Sequence, residues 1–105
     1  MEVRLRYRAN DLANVSRVIT YETDNDHLHV GEFIRLQPDI DGEMVVVRIV
    51  KITHIKVVAV SPVRQGTKLT DTRLLVLVQP ARDENTNSIL VYSNQQLKNV
   101  GFQPI

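Results

Sequence analysis

The longest apolar stretch of the chain, residues 43–60, reads EMVVVRIVKITHIKVVAV. Its valines and isoleucines are β-branched, and such residues favour strands over helices. The odd-numbered residues from Val45 to Ile49 share one face of a strand, but the next residue on that face is Lys51. The apolar residues change parity there, which predicts a β-bulge or a bend within one long strand. A strand centre buried on both faces is the alternative interpretation.

The segments around this stretch also have the pattern of strands, because apolar and polar residues alternate with a period of two. The predicted strands are residues 2–8, 17–23, 28–37, 43–60, 73–79 and 89–93. Asp41-Gly42 is a hairpin signal between the third and fourth strands. Residues 23–26 and 61–66 are predicted to be turns or loops, and residues 94–99 a short turn of helix.

The composition agrees with a β fold. The chain contains 16 Val and 8 Ile, and its length of 105 residues suits one domain. We therefore predict a single β domain over residues 1–105, all-β or mostly β with one short helical turn. Its architecture is expected to be a small barrel or sandwich of about six strands with a long, bent central strand.

Charge and cysteine usage exclude several classes of protein. Thirteen basic residues against twelve acidic ones give a net charge of +1, which is not the strongly basic balance of a dedicated nucleic-acid binder. The absence of cysteine removes disulfides and thiolate zinc sites. The first residues lack the apolar run of a signal peptide, and no apolar stretch is long enough to span a bilayer. We expect a cytoplasmic or virion protein without membrane contact.

Motifs for catalysis are missing from the sequence. There is no Gly-x-Ser-x-Gly elbow, no phosphate-binding glycine-rich loop and no dinucleotide fingerprint, and the chain has only four glycines. We therefore predict that the protein is not an enzyme and takes no cofactor.

Two groups of residues superficially resemble metal ligands. His27 and His29 would face the same way on a strand, with His54 as a third candidate, but exposed histidines at a strand entrance explain them better, because no further spacing fits a known zinc pattern. Residues 39–43, DIDGE, resemble the start of a calcium loop, yet the twelfth position is Val50 rather than glutamate. A hairpin turn accounts for residues 39–43, and we predict no metal site.

Arginines form the most distinctive polar feature. Arg4, Arg6 and Arg8 share one face of the first predicted strand, and arginines outnumber lysines nine to four in the chain. Three interpretations remain open. The stripe could track phosphates, form ion pairs with the carboxylates of another subunit, or be a solvated face that discourages edge-to-edge aggregation.

The last residues of the sequence are unusually apolar. Phe102 and Ile105 lie in a predicted extended segment that a monomer would leave uncovered. We expect these two residues, together with Arg4, Arg6 and Arg8, to contact a partner. The expected partners are protein subunits in a homo-oligomer or a larger assembly, with nucleic acid as a second possibility.

One short stretch resembles known β-barrels. Residues 29–36, HVGEFIRL, followed by residues 45–50, VVVRIV, resemble the core hairpin of PUA and ASCH-like barrels. The match covers about a fifth of the chain, and SH3-like barrels share the same pattern of a buried hairpin with a glycine entrance. The resemblance implies a small barrel that binds RNA or modified nucleotides.

Three functions of different classes follow from these observations. The first is a structural subunit of an assembly such as a phage tail, neck or capsid-associated complex, indicated by the missing catalytic motifs and the apolar C-terminal residues. The second is a small nucleic-acid-binding barrel, indicated by the arginine stripe. The third is a ligand-binding or enzymatic barrel, which no residue of the sequence supports.

Overall fold

The described strands form one six-stranded sheet that curls into a half-barrel. A computed structural model describes residues 1–24, 27–60 and 68–105. In chain order the elements are β1 (Glu2–Tyr7), β2 (Arg17–Glu22), β3 (Phe33–Leu36), β4 (Val45–Val60), β5 (Lys68–Pro80), α1 (Asn94–Asn99) and β6 (Gln103–Pro104). The strand order is β3-β4-β5-β1-β2-β6, and only the β1–β5 pair is parallel. The prediction of a mostly β fold with about six strands is confirmed.

The inner, concave face of the sheet holds the hydrophobic core. β1, β4 and β5 each contribute three buried side chains in strict alternation, while α1 and the segment after it cover them. The buried core residues are Val3, Leu5, Tyr7, Val45, Val47, Ile49, Leu74, Val76, Val78, Leu97 and Phe102. Because side chains of a strand alternate between faces, the residues between these project from the outer face.

The parity change predicted in the long central strand is confirmed as a β-bulge. Ile49 pairs with Val78 and Lys51 pairs with Leu77, so Val50 is the extra residue on β4. The bulge moves the inner face from odd to even positions, and Ile52 therefore packs against the core. The interpretation of a strand centre buried on both faces is wrong.

Several predicted strand boundaries differ from the structure, and the fifth predicted strand begins at Lys68 rather than at residue 73. The third strand begins at Phe33 rather than at residue 28, because Gly31 adopts a φ of 90° and interrupts the extended chain. The hairpin predicted at Asp41-Gly42 is confirmed, since β3 and β4 pair antiparallel, but its connection is wide because β3 ends at Leu36 and β4 begins at Val45. Pro38, which has no N–H to donate, follows the end of β3 and favours this wider connection. The predicted loop at residues 61–66 and part of the predicted turn at residues 23–26 lie outside the described residues.

The predicted strand at residues 89–93 is wrong. Ile89 makes only an isolated bridge with Arg82. Three residues on, the hydroxyl of Tyr92 accepts a hydrogen bond from the N–H of Val46 at 3.0 Å. The Tyr92 hydroxyl thus accepts from a backbone N–H of β4 that would otherwise donate to a neighbouring strand. The segment therefore crosses the start of β4 instead of extending the sheet.

The predicted helical turn is confirmed as α1, which spans Asn94–Asn99. Ser93 caps it with a capping box: its hydroxyl accepts from the N–H of Gln96 at 3.2 Å, and the Gln96 side chain accepts from the N–H of Ser93 at 2.8 Å. The helix buries one side chain, Leu97, against the sheet. Tertiary packing and the cap stabilise a helix that is too short to form alone.

β4 and β5 continue beyond the other strands as a two-stranded ribbon. β1 pairs with residues 73–78 of β5, whereas β4 follows β5 out to the pair Val60 and Lys68. We call the paired residues 56–60 and 68–72 the arm. The molecule consequently measures 59 × 27 × 25 Å, and its radius of gyration of 16.5 Å exceeds the roughly 13 Å of a compact domain of this length.

The buried side chain of Tyr7 should make the free energy of unfolding depend on pH. The pKa of Tyr7 is raised to about 12, chiefly by burial and also by nearby Tyr92, while Arg17 acts in the opposite direction. Because a tyrosine in the unfolded chain ionises near pH 10, the unfolded state loses this proton first as the pH rises. The free energy of unfolding should therefore keep the Tyr7 contribution below about pH 10 and lose it as the pH rises toward 12.

Denaturant titrations of the wild type and of Tyr7→Phe across this pH range would measure the effect. The phenylalanine variant should lose less stability above pH 10 than the wild type. Parallel pH profiles for the two proteins would contradict the assignment to Tyr7.

Candidate functional site

Four of the five residues predicted to contact a partner lie together on the outer face of the sheet. Arg4, Arg6 and Arg8 project from β1, whose alternate residues Val3, Leu5 and Tyr7 are buried in the core. All three arginines are half-buried on this face. The sheet order places β1 between β5 and β2, so side chains from both neighbours flank the stripe.

Ile105 reaches this face because the end of the chain pairs with β2. β6 places Gln103 beside Val18, and the N–H of Ile105 donates to the carbonyl of Ser16 at 3.3 Å. The Ile105 side chain is 78% exposed and lines the same surface as Arg4 and Arg6. The structure thus leaves this apolar side chain open to a partner, as the sequence predicted.

Phe102 requires a correction, because it belongs to the core. Its side chain is 0% exposed, and its ring lies 5.4 Å from that of Tyr7, measured between centroids. Gly101, with a φ of 106°, turns the chain inward immediately before it. Sequence position alone could not separate Phe102 from Ile105, whose side chains go to opposite faces of the sheet.

The arginines and Ile105 border a shallow groove made of two adjoining depressions, each of about 460 Å³. We call it the Arg groove. The two depressions share Arg6, Leu75 and Ile105. The groove is lined by Arg4, Arg6, Arg8, Ala13, Asn14, Val15, Val18, Thr20, Lys51, Thr53, Leu75, Leu77 and Ile105. Aliphatic side chains lie among the basic ones, so the groove combines hydrophobic contacts with positive charge.

Sequence reasoning missed Leu75, Leu77 and Lys51 as members of this site. The alternation in the fifth predicted strand did separate the two leucines from their buried neighbours. It could not show that β1 lies beside β5, which the register of Arg6 opposite Leu77 and Leu77 opposite Lys51 establishes. Neighbours that are distant in sequence are not visible in a local pattern.

Ion pairing divides the arginine stripe. Glu2 lies between two arginines, with its carboxylate oxygen 3.4 Å from Nε of Arg4 and 3.1 Å from Nε of Arg73. Within the described part of the chain, Arg6 and Arg8 form no ion pair, and the buried Nε of Arg8 has no hydrogen-bond partner. A buried guanidinium donor without an acceptor is energetically unfavourable. A carboxylate or phosphate seated in the groove would satisfy it.

The groove concentrates positive charge in a nearly neutral protein. Its lining includes four cations, namely Arg4, Arg6, Arg8 and Lys51, and no Asp or Glu side chain. The whole chain has thirteen basic and twelve acidic residues, so nine basic and twelve acidic residues remain elsewhere. This segregation gives the groove a local field that the net charge of +1 conceals.

The candidate metal ligands do not assemble. His27 and His29 are exposed in the segment before β3, and His54 is exposed on β4. Among residues 1–24, 27–60 and 68–105, no three His, Asp or Glu side chains are placed to hold a metal ion. Asp39 and Asp41 lie exposed in the connection between β3 and β4.

One carboxylate with a shifted pKa has a structural explanation. Hydrogen bonds from the backbone N–H groups of Thr86 and Asn85 lower the pKa of Asp83. The two donors lie 3.1 Å and 2.8 Å from Oδ1, and together they close the turn after β5. The hydrogen bonds of this turn therefore account for the lowered pKa of Asp83.

Comparisons with known proteins leave the function to be argued from the structure. No protein-family model, no curated protein and no solved structure matches this chain. Within the part of the chain that the structure describes, no helix has the length and apolarity needed to cross a bilayer.

Proposed function

We propose that this protein is a non-enzymatic structural subunit of a multi-subunit assembly, and that it docks through the Arg groove onto a carboxylate-bearing protein surface. A phage virion, in its tail, neck or capsid-associated parts, is the kind of assembly we envisage, with the protein in the cytoplasm before assembly. The observation that carries the proposal is the pairing of four cations with apolar Leu75, Leu77 and Ile105 in one groove.

The composition of the groove favours a protein partner. Protein interfaces combine an apolar centre with arginine, which is enriched there, whereas lysine is depleted. Three of the four cations in the groove are arginines, and leucine side chains lie between them and Lys51. A carboxylate from a partner would find planar guanidinium donors and an apolar surround that lowers the local dielectric.

A second candidate is a small nucleic-acid-binding β protein. The four cations of the groove favour it, because phosphates need such a surface and only Arg4 among the four forms an ion pair within the described residues. The lining, however, includes no aromatic side chain on which a base could stack. This difference makes nucleic acid the weaker proposal.

The Arg groove can be tested with two probes of equal charge. One is a short peptide of alternating glutamate and leucine, and the other is polyglutamate of the same charge. We expect the leucine-containing peptide to bind more tightly and to keep binding at high salt, because apolar contacts are not screened. Calorimetry or fluorescence anisotropy would measure both affinities.

Variants of the groove sharpen this prediction. Replacing Arg4, Arg6 and Arg8 together by glutamine should weaken peptide binding about tenfold or more. The same variant should change the free energy of unfolding by roughly 1 kcal/mol or less, since these side chains lie on the outer face. The matched control replaces three exposed arginines outside the groove, Arg35, Arg48 and Arg82, and should bind as the wild type does.

Other outcomes would contradict the proposal. Equal binding of the two probes, or equal loss in both triple variants, would show that the groove offers only diffuse charge. Tight binding of DNA or RNA oligonucleotides that falls steeply with salt would favour the second candidate. Absence of oligonucleotide binding at low salt would exclude that candidate.

A further inference from the structure

One edge of the sheet remains open over a long distance. The terminal strands of the sheet are short, with four residues in β3 and two in β6. β3 pairs with the first residues of β4, and the backbone contacts of Gly31 and Glu32 with Ile49 extend this pairing by one position. Within the described residues, nothing pairs with the same side of β4 from Lys51 to Val60. About 33 Å of strand therefore presents unpaired N–H and C=O groups.

The outer half of this edge belongs to the arm, which has only two strands. A two-stranded ribbon is marginally stable in water, and a third strand or a packed face is normally required. Residues 51–60 of β4, KITHIKVVAV, include no proline or glycine and no acidic residue. Val58 within it is 46% exposed. A long, apolar, β-branched edge of this kind binds another strand readily.

We propose that β4 of one copy pairs with β4 of a second copy along this edge, antiparallel and about a two-fold axis at Val57. Residues 54–60 of the two copies then face each other, and the two arms form one four-stranded sheet in the order β5-β4-β4-β5. Strand addition of this kind supplies the main-chain hydrogen bonds that the edge lacks. A two-fold contact also closes the edge, so that assembly stops at a dimer.

Charge and the number of paired residues together select the register: among the axes that keep basic side chains apart, such as those at Thr53, Val57 and Val58, the axis at Val57 pairs the most residues of 51–60. In an antiparallel pair about a two-fold axis, the residues that face each other must lie on the same side of the sheet, so one residue on the axis faces its own copy. An axis at Ile55 would place His54 against Lys56 of the second copy, and an axis at Lys56 would place the two ammonium groups together. An axis at Val57 places Lys56 against Val58, so that no two basic side chains face each other.

This inference goes beyond the proposed docking function, because it concerns another surface. The Arg groove lies on the outer face of β1, β2 and β5 and includes Lys51 and Thr53 of β4, whereas the open edge is the side of β4 that faces away from β5. The two contacts can form at the same time. Each therefore needs its own variants, and the failure of one leaves the other standing.

Charge substitutions on the arm test both the contact and its register. Val58→Lys places two like-charged pairs in the dimer, because each introduced ammonium group faces Lys56 of the other copy. It should raise the dimer dissociation constant about tenfold. Adding Lys56→Glu to this variant makes both pairs attractive and should restore dimerisation. Val58 and Lys56 are exposed in the monomer, so the fold should tolerate both changes. Sedimentation velocity from micromolar to millimolar concentration would measure the dissociation constants.

Disulfide trapping gives a second readout, since the chain has no cysteine of its own. Val57→Cys should form a covalent dimer on mild oxidation, because facing Cα atoms in a β pair lie about 4.5–5.5 Å apart, within disulfide range. Thr53→Cys is the matched control and should stay monomeric, as no copy of itself faces it.

Defined results would overturn the proposal. These are a strict monomer at millimolar concentration, a dimer insensitive to Val58→Lys, or open-ended aggregates in place of dimers. The variant lacking Arg4, Arg6 and Arg8 should dimerise as the wild type does. If it loses dimerisation while Val58→Lys keeps it, the self-contact lies at the Arg groove and not at β4.

Discussion

Replacing Phe102 with alanine is expected to lower the free energy of unfolding by about 3–5 kcal/mol. The side chain is 0% exposed and its ring packs at 5.4 Å from that of Tyr7. Truncation removes a large buried surface and leaves a cavity between the sheet and the segment after α1, which cannot collapse without moving both. Urea denaturation monitored by circular dichroism would measure the change.

Ile105→Ala is the matched control for this prediction. Ile105 is three residues away and also apolar, but it is 78% exposed, so its truncation should change the free energy of unfolding by about 0.5 kcal/mol or less. A comparable loss of stability in the two variants would contradict the assignment of Phe102 to the core and Ile105 to the surface.

The second large effect is expected at the centre of the sheet, from Val76→Asp. Val76 lies on β5 with Leu5 and Ile52 on either side, and its side chain is fully buried. A carboxylate there has no partner and must either stay ionised in an apolar core or take up a proton. We expect a loss of more than about 4 kcal/mol, which is most of the stability of a typical small domain.

Leu77→Asp makes the same change at the next residue, on the opposite face. Leu77 is half-buried and lies between Lys51 and Arg6, so the new carboxylate would face two cations. The free energy of unfolding should fall by about 1 kcal/mol or less, because favourable cross-strand pairs offset part of the lost apolar contact. The same variant should abolish binding of the acidic peptide, since it brings a negative charge into the Arg groove. Similar destabilisation by both aspartates would show that the two faces of β5 are not distinct.

The local sequence pattern correctly predicted those features of the fold that depend on a single strand. The alternation around β1 correctly separated Arg4 and Arg6 from the core, because a strand must place successive side chains on opposite faces. The lost alternation before Lys51 located the bulge to within one residue, since an inserted residue inverts the parity that follows it. The short helix was likewise predicted over residues 94–99, the bounds that α1 has.

Prediction failed where tertiary contacts override local preference. Residues 89–93 alternate as a strand should, yet Tyr92 bonds the backbone of β4 and the segment does not join the sheet. Asp41-Gly42 does join two paired strands as predicted, but the connection is wider than a tight turn, because β3 ends at Leu36 and β4 begins only at Val45. Local sequence preferences are weak, so the chain departs from them where tertiary packing stabilises another conformation.

By itself, the sequence determined the mostly β fold, the bulged central strand and the row of arginines on one face, because each follows from the period of a single strand. Only the tertiary structure decided the site. β5 lies beside β1, so Leu75 and Leu77 lie next to the arginines. Phe102 is buried in the core, whereas Ile105 is exposed. The tertiary structure also showed that β4 extends beyond β3, so that among the described residues no strand pairs with this edge of β4 from Lys51 onward. Strand order and relative strand length arise from contacts between distant segments, and no local period encodes them.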